Sequence, residues 1–226
     1  MPKGFFKVPK AKNEPARSYA PGTKDREELK KALKELKSQE IDIPMVIGGK
    51  EIRTDNKKSI HPPHELKHTL GHYHQGDETH VQQAIDAAME AKEKWAAMPW
   101  HERAAIFLKA ADLLTGPYRY KINAAAMLGT SKNAHQAEIE TVAEFADFMR
   151  YGVEFMTHIY DQQVYSPDGM WNRVEYRPLE GFVFALTPFN FQAITANLPA
   201  APAMMGNTVV WKPSKLNIYA AKVIMD

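Results

Sequence analysis

Four polar side chains follow two apolar segments of the chain, at matching positions. Thr187 and Asn190 come after the first segment, and Lys212 and Ser214 come after the second. Ligands of open α/β sheets bind outside the carboxyl ends of the strands. If both segments are strands of one sheet, the four side chains should therefore face a single ligand-binding crevice.

The segments that must position these side chains have the pattern of a strand, a helix and a second strand. Residues 182–186 are an unbroken apolar run, which is typical of a strand buried on both faces. Residues 208–211 are a second short run, rich in β-branched side chains. The Ala- and Met-rich stretch between them ends at Gly206-Asn207, a helix-stop signal. This order predicts two parallel strands with a right-handed crossover, and hence an α/β fold.

The motifs in this segment resemble those of the aldehyde dehydrogenase superfamily. They read Leu-Thr-Pro-Phe-Asn-Phe at 186–191 and Gly-Asn-Thr-Val-Val-Trp-Lys-Pro-Ser at 206–214. With Leu-Glu-Gly-Phe-Val at 179–183, they are most similar to the Δ1-pyrroline-5-carboxylate dehydrogenases, which oxidise L-glutamate γ-semialdehyde in proline catabolism. The segments 107–112 and 131–139 extend the resemblance over nearly the whole chain.

The resemblance implies a fold and a division of the chain. We expect the first part of a Rossmann-like NAD-binding domain, with a helical N-terminal extension and a β-hairpin arm used for homo-oligomerisation. A hairpin that packs on its own subunit is the alternative for that arm. The expected segments are the N-terminal arm and helix (1–40), the helical and hairpin part of the cofactor-binding domain (41–161), the arm (162–180) and the start of the βαβ sheet (181–226).

The resemblance also assigns residues to a cofactor site. Lys212 would bind the adenosine ribose of NAD(P), and Thr187 would touch the nicotinamide end. Judged on sequence alone, Lys212 could equally be a surface lysine beside a helix. Lys215 stands where many NAD-specific relatives carry an acidic residue, so NAD is favoured but NADP is not excluded. The other cofactor-binding residues implied are Pro188, Phe189, Pro213 and Ser214.

Three residues are assigned to the aldehyde by the same resemblance. The Asn190 amide would donate a hydrogen bond to the substrate oxygen, although an Asn here could instead cap the following helix. Glu144 matches a residue near the mouth of the aldehyde site, where a carboxylate could meet the substrate's ammonium group. Phe191 would line the same site. The alternative for Glu144 is a solvated acidic helix face, shared with Glu140.

The catalytic nucleophile of the family is a cysteine, and this chain contains none. The family's general-base glutamate and glycine-rich nicotinamide-binding turns also belong to later parts of much longer proteins. We therefore expect the chain to be the N-terminal part of such an enzyme and to be inactive by itself. A helical pattern over 217–225 without a stop signal also favours truncation. The alternatives are a non-catalytic module that binds a nucleotide or a partner, and a dehydrogenase of another semialdehyde.

Composition limits the remaining function classes. The chain has 226 residues, 44% hydrophobic and 25% charged, which is ordinary for a globular protein. A net charge of +2 gives no indication of binding to nucleic acid or to a membrane surface. No apolar run approaches the ~20 residues of a membrane span. Without a recognisable signal sequence the expected location is the cytoplasm, or the mitochondrial matrix if the source is eukaryotic.

The first half of the chain is predicted to contain an arm, a helix and two hairpins. Residues 1–22 carry four prolines and should be extended. Residues 25–38 should form a helix that docks through three leucines, and 43–52 a hairpin around Gly48-Gly49. Six of the nine histidines lie between 61 and 80, in spacings that match no metal-ligand pattern. We expect no metal site there, and favour solvated hairpin strands for His64, His68, His72 and His74.

Four helices are predicted between residues 79 and 159. A capping box at Thr79–Gln82 should open the first, Gly116 should end the second, and Gly129 should end the third. The fourth, 134–159, has inward-facing apolar positions that include Ile139, Val142 and Ala146. Alternation around Pro167-Asp168-Gly169 then predicts a β-hairpin over 162–177.

Overall fold

The computed structural model describes residues 4–226, so the first three residues of the predicted N-terminal arm lie outside the described residues. Helices and small sheets alternate along these residues. The helices are α1 (Lys24–Lys37), α2 (Glu78–Ala97), α3 (Trp100–Thr115), α4 (Arg119–Thr130), α5 (Ala134–Ala137), α6 (Glu144–Tyr160), α7 (Gln192–Met204) and α8 (Ile218–Met225). The strands are β1 (Ile41–Ile43), β2 (Met45–Ile47), β3 (Lys50–Ile52), β4 (Lys57–Ile60), β5 (Gly71–His74), β6 (Val183–Leu186) and β7 (Val209–Lys212).

The N-terminal arm and α1 lie on the helical body, as predicted for 25–38. Thr23 caps α1, and Leu29 and Leu36 are buried in the main core. The arm before it is extended and is bonded to α4, α6 and the segment that joins α5 to α6. These contacts make the arm part of the packed structure.

Two small sheets follow. Strands β2 and β3 form the predicted antiparallel hairpin, and Gly48 and Gly49 both have positive φ, which a tight two-residue turn of this type requires. Strand β5 pairs with β4 antiparallel and with β1 parallel. The expectation of four solvated histidines on strands is wrong for three of them, whereas His72 lies half-buried on β5. His64 and His68 lie in the β4–β5 loop, and His74 is buried, where its ring contacts Asp42 and Thr54.

Among residues 4–226, no group of three or more His, Cys, Asp or Glu side chains is placed so that it could hold a metal ion. The start of α2 also differs from the prediction. Its cap is Asp77, with His80 completing the capping box, because the Asp77 carboxylate accepts from two backbone N–H groups of the first turn. The helix therefore begins before Thr79.

The core is built mainly from α3, α4, α6, α7 and α8. Small side chains let these helices approach closely, and Ala124, Ala125 and Ala146 are fully buried. Helix α4 runs one residue past Gly129 and ends at Thr130, and its C-cap, Ser131, adopts the left-handed conformation with φ of 58°. That conformation is uncommon for a residue with a β-carbon.

The predicted single helix over 134–159 is interrupted. Residues Glu138–Ala143 form a π-helical turn between α5 and α6, which inserts extra backbone into the helix. The insertion rotates the side chains before it relative to those after it. As a result Ile139, predicted to face inward, is 43% exposed, whereas Glu138 and Glu140 are buried. The prediction of a solvated Glu140 is therefore wrong.

The βαβ unit of 181–214 is confirmed in its order and direction. Strands β6 and β7 are parallel, with Leu186 opposite Lys212, and α7 connects them. The prediction that the first strand is buried on both faces is wrong for these residues, because Phe184 is 56% exposed and Leu186 is 59% exposed. One face of the pair packs on α7, and the other lies open.

The segment 162–177 has the predicted turn but not the predicted strands. The Met170 N–H donates to the Pro167 carbonyl at 3.0 Å, and Gly169 has positive φ. The two arms are joined mainly through side chains, for example by Gln163, whose side chain bonds to both the N–H and the carbonyl of Val174. Apolar side chains of this segment, including Trp171, are highly exposed.

Candidate active site

The carboxyl ends of β6 and β7 open into one large groove. The Thr187 N–H donates to the Lys212 carbonyl at 3.2 Å, so the two strand ends are fixed to each other. The indole of Trp211 donates to the Thr187 hydroxyl at 3.2 Å. The cavity has a volume of about 1340 Å³, and all seven predicted cofactor-binding residues line it: Thr187, Pro188, Phe189, Lys212, Pro213, Ser214 and Lys215.

The predicted aldehyde-site residues lie around the turn that joins β6 to α7. Asn190 and Phe191 are both exposed. The N-cap of α7 is Phe191, which has no side-chain oxygen, so the alternative of a helix cap for Asn190 is not what the structure contains. Within residues 4–226, the Asn190 side-chain amide has no hydrogen-bond partner, whereas its backbone carbonyl is bound.

A buried carboxylate caps α7 in place of the missing N-cap side chain. Glu140, from the π-helical turn, accepts a hydrogen bond from the backbone N–H of Gln192, the first residue of the helix. Negative charge is favourable at this end of a helix, because the first N–H groups are unpaired and the dipole is positive there. Glu140 is only 6% exposed. The π-helical turn is thus what brings a carboxylate to the start of α7.

Lys132 joins the same cluster from the loop after α4. Its ammonium group pairs with Glu140 and donates to the backbone carbonyl of Asn190. It also lies 4.8 Å from the centre of the Phe191 ring, within cation–π range. The lysine therefore holds the turn at two successive residues, while its charge is balanced by the buried carboxylate.

Glu144 stands one helical turn after Glu140 and is half-buried. Burial is the largest influence on its carboxyl group and raises its pKa above the ordinary value, and the negative charge of Glu140 acts in the same direction. The positive charge of Lys132 opposes them, and Asp147 adds a smaller upward effect. Because burial and the neighbouring carboxylates outweigh the effect of Lys132, a cationic partner would stabilise the ionised form of Glu144.

Two elements of this site were not found by reasoning from the sequence. Glu140 was grouped with the solvated acids, because the periodicity of 134–159 contains no sign of the extra π-helical residue. Lys132 was noticed only as part of a family-like segment. The usable signal was the helix start at residue 192, which has no capping side chain and therefore needs an acceptor from elsewhere in the chain.

Comparison with known proteins identifies the family. The profile of the aldehyde dehydrogenase family matches residues 51–226. The chain belongs to this family. The mixed α/β arrangement is the N-terminal part of the aldehyde dehydrogenase fold.

This aldehyde dehydrogenase chain has curated relatives named delta-1-pyrroline-5-carboxylate dehydrogenase. It is 51% identical over 217 residues to the delta-1-pyrroline-5-carboxylate dehydrogenase of Agaricus bisporus, covering 95% of this chain and 40% of that protein. It is 41% identical to the human mitochondrial protein of the same name, covering 95% of this chain and 38% of the relative. The chain thus spans about 40% of the length of the curated relatives it matches.

Solved structures agree. The delta-pyrroline-5-carboxylate dehydrogenase of Mycobacterium tuberculosis, described as bound with NAD and cobalamin, superposes with a TM-score of 0.98 at 48% identity, over 100% of this chain and 42% of that one. The 1-pyrroline-5-carboxylate dehydrogenase from Thermus with bound NAD gives a TM-score of 0.88 at 25% identity, over 97% of this chain and 43% of that one.

Several eukaryotic relatives are named as mitochondrial. Among the described residues, none of the helices has the length and apolar character to cross a membrane.

Proposed function

We propose that this chain supplies the NAD-binding groove and the aldehyde-orienting turn of a dehydrogenase that oxidises L-glutamate γ-semialdehyde to L-glutamate in proline catabolism. The observation that carries the proposal is the Asn190 turn. Its backbone is held by Lys132 and its exposed side-chain amide has no hydrogen-bond partner in the described residues, in a chain 51% identical to a pyrroline-5-carboxylate dehydrogenase. Asn190 is proposed as the catalytic residue that this chain contributes.

The proposed role of Asn190 is electrostatic. Attack on an aldehyde carbon places negative charge on the carbonyl oxygen, and a fixed amide N–H aimed at that oxygen stabilises the transition state more than the ground state. The attacking thiolate would come from a cysteine outside these 226 residues, because the chain has none. Phe191 is proposed to cover the substrate chain beside this point.

Glu144 is proposed to bind the α-ammonium group of the substrate. L-Glutamate γ-semialdehyde carries that positive charge at the end opposite to its aldehyde, and Glu144 lies in the same cluster as Lys132 and the Asn190 turn. A bound ammonium would favour the ionised form of Glu144 and so offset the upward pull on its pKa. This contact would separate the amino-acid aldehyde from simple aldehydes.

NAD fits the groove in volume and in chemistry. A cavity of about 1340 Å³ exceeds the size of ordinary ligand pockets, and lysines and hydroxyl-bearing side chains, among them Lys212, Lys215, Thr187 and Ser214, line it next to apolar walls. We propose that Lys212 donates to the adenosine ribose, that Ser214 and Pro213 shape the turn around it, and that Thr187 and Pro188–Phe189 lie at the nicotinamide end. NAD, when bound, accepts hydride from the substrate carbon. With Lys215 in the groove, NADP is the alternative cofactor.

A homo-oligomer is proposed as the assembled form, with the segment 162–180 as the contacting arm. The support is the set of exposed apolar side chains on that segment, which includes Tyr165, Met170 and Trp171. Mitochondrial localisation is proposed if the source is eukaryotic, by analogy with the eukaryotic relatives, and a cytoplasmic location otherwise. Nucleic acid and membrane surfaces are not among the proposed partners.

The test is an activity assay of the full-length protein that carries residues 1–226. Pyrroline-5-carboxylate with NAD should give the highest kcat/KM among a panel that includes succinic semialdehyde and propionaldehyde, and NADP should be the poorer cofactor. A preference for another aldehyde would refute the proposed substrate. The 226 residues expressed alone should show no oxidation with either cofactor, since no thiol is present to be acylated.

A further inference from the structure

Lys132 occupies an unusual position between a buried acid and a backbone turn. Its side chain is 16% exposed, and its ammonium group contacts Glu140, the backbone carbonyl of Asn190 and, at 3.4 Å, the side-chain oxygen of Gln192. A lysine has three N–H donors, so one ammonium group can bond to these oxygens at once. The contact to Asn190 is to the main chain, which leaves the Asn190 side chain unoccupied.

Glu140 completes a second connection to the same turn. Its carboxylate pairs with Lys132 through one oxygen and accepts from the Gln192 N–H through the other. The hydroxyl of Thr141 donates to it as well, at 3.2 Å. The residues on both sides of Phe191 are therefore tied to one ion pair, one through its carbonyl and the other through its N–H.

We propose that Lys132 and Glu140 are positioning residues, which fix the backbone of the β6–α7 turn so that the unbonded amide of Asn190 is aimed at the reacting carbonyl oxygen. Neither residue needs to touch the substrate for this role. The inference rests on the proposed function, because it assigns a purpose to the orientation of Asn190.

Two backbone features indicate that the Lys132–Glu140 ion pair is a specific arrangement and not an incidental surface salt bridge. The π-helical turn brings Glu140 inward, and such insertions are found often at functional sites. Ser131, directly before Lys132, holds a left-handed conformation with φ of 58°, which is strained for a non-glycine residue and persists only where the surroundings hold it. Its hydroxyl lies 2.8 Å from the His64 ring nitrogen. Unusual backbone conformations therefore accompany both members of the ion pair: the left-handed Ser131 precedes Lys132, and the π-helical turn contains Glu140.

The position of an amide donor matters because its effect depends on geometry. Loss of one oxyanion donor lowers turnover by about 10²–10³-fold, and a displacement of about 1 Å can cost 10²-fold. Lys132→Met should therefore lower kcat by about 10- to 100-fold, with a much smaller change in the dissociation constant of NAD. Lys132→Arg retains a cation of similar reach and should recover most of the activity.

Hydrogen exchange provides a readout that needs no substrate. In the full-length protein, Lys132→Met and Glu140→Gln should each increase exchange of the backbone amides of 189–193 at least tenfold, while α1 and the β4–β5 pair keep wild-type protection. Lys121→Met is the matched control, since Lys121 is an exposed lysine on the preceding helix whose described contact is with the Tyr118 ring. It should leave both exchange and kcat unchanged.

The outcomes separate this inference from the proposed function. Unchanged exchange in 189–193, or a loss of protection throughout the protein, would overturn the positioning role whatever the enzyme's substrate is. A localised loss of protection together with reduced kcat and recovery by Lys132→Arg supports it. If pyrroline-5-carboxylate is not a substrate, the proposed function fails, and the exchange experiment still decides the role of Lys132.

Discussion

Glu138 and Glu140 stand two residues apart in the same π-helical turn, are both buried, and serve different parts of the molecule. Glu138 pairs with Arg119 and accepts from the Tyr19 hydroxyl at 2.6 Å and the Asn123 amide at 2.8 Å. The Glu138 carboxylate is fully bonded within the protein, and the neighbouring Asn123 amide donates to it while its own buried oxygen has no partner in the described residues. Around Glu140, by contrast, the polar partners are in place but the Asn190 amide is left over.

The comparison teaches that a buried carboxylate is assigned to structure or to function by its neighbours. The Glu138 cluster joins the N-terminal arm to α4, and its ion pairs include Glu14 with both Arg119 and Arg150. This network stabilises one arrangement, and its unpaired atom, the oxygen of the Asn123 side chain, is buried where a ligand does not reach it. Within the described part of the chain, the Glu140 cluster leaves the Asn190 side-chain amide unpaired at the surface, where it is free to donate a hydrogen bond to a substrate.

The largest expected effect lies on the structural side of the comparison. Glu138→Gln removes the charge that pairs with buried Arg119, and breaking such a pair should lower the free energy of unfolding by about 3–5 kcal/mol. Urea unfolding of the full-length protein measures it, with exposed Glu102→Gln as a control expected to stay within about 0.5 kcal/mol. The kcat of the folded fraction should be unchanged. If Glu138→Gln lowered kcat but kept the wild-type free energy of unfolding, Glu138 would not differ from Glu140 in the way proposed.

The pH dependence of this loss of stability follows from the pKa of Glu138. Burial alone would raise that pKa, but hydrogen bonds from Arg119 and Tyr19 outweigh it and lower the pKa below the ordinary value. A depressed folded-state pKa contributes stability that is present above the unfolded-state pKa and lost as the pH falls through the folded-state value. The difference in stability between wild type and Glu138→Gln should therefore shrink in acid.

Asn190→Ala tests the functional side. It removes the unpaired amide, and kcat should fall by about 10²–10³-fold, which corresponds to about 2.7–4 kcal/mol. The free energy of unfolding and the dissociation constant of NAD should barely move, because the side chain has no internal partner in the described residues. Wild-type turnover in this variant would remove Asn190 from the proposed mechanism.

Lys212→Ala sharpens the comparison from the cofactor groove. Loss of a charge-assisted hydrogen bond should weaken NAD binding by about 1–3 kcal/mol. Isothermal titration measures this, and Lys215→Ala is a neighbouring control from the same groove, expected to affect NADP more than NAD. If neither dissociation constant changes for Lys212→Ala, this lysine is a surface residue only.

The smallest expected effect concerns Glu144. Its raised pKa, caused by burial and by Glu140, means that the carboxylate takes up a proton at a higher pH than an ordinary glutamate. The KM for the amino-acid aldehyde should therefore rise as the pH falls toward that pKa, and Glu144→Gln should remove the dependence. The same variant should slightly raise the Tm at neutral pH, because ionisation is less favourable in the folded than in the unfolded state. This gain should vanish in acid.

The sequence predicted the elements whose cause is local. The Gly48-Gly49 turn, the leucine face of α1 and the parallel β6–β7 pair all follow from short-range patterns, and the structure confirms them. The helix stop at Gly206 likewise depends on a conformation, φ of 91°, that glycine adopts without strain.

What escaped prediction depends on long-range contacts. One added backbone position in 138–143 reverses the exposure of Ile139 and Glu140, and hydrophobic spacing does not reveal such an insertion. The exposure of Phe184 and Leu186 was not predicted, because the same apolar run occurs in strands that are covered on both faces and in strands that are covered on one. For the candidate site, the motif residues could be named from the sequence, but the supports at Lys132 and Glu140 come from segments that only the fold brings beside the turn.

The N-terminal arm has a consequence for shortened versions of this protein. The family profile begins at residue 51, but Glu14 pairs with buried Arg119, and Leu29 lies in the main core. A protein cut to start at residue 51 would lose α1 from the core and leave the Arg119–Glu138 pair open to water on one side. Such a version should be expressed as inclusion bodies. The boundary of the folded unit therefore lies about forty residues upstream of the boundary that family membership suggests.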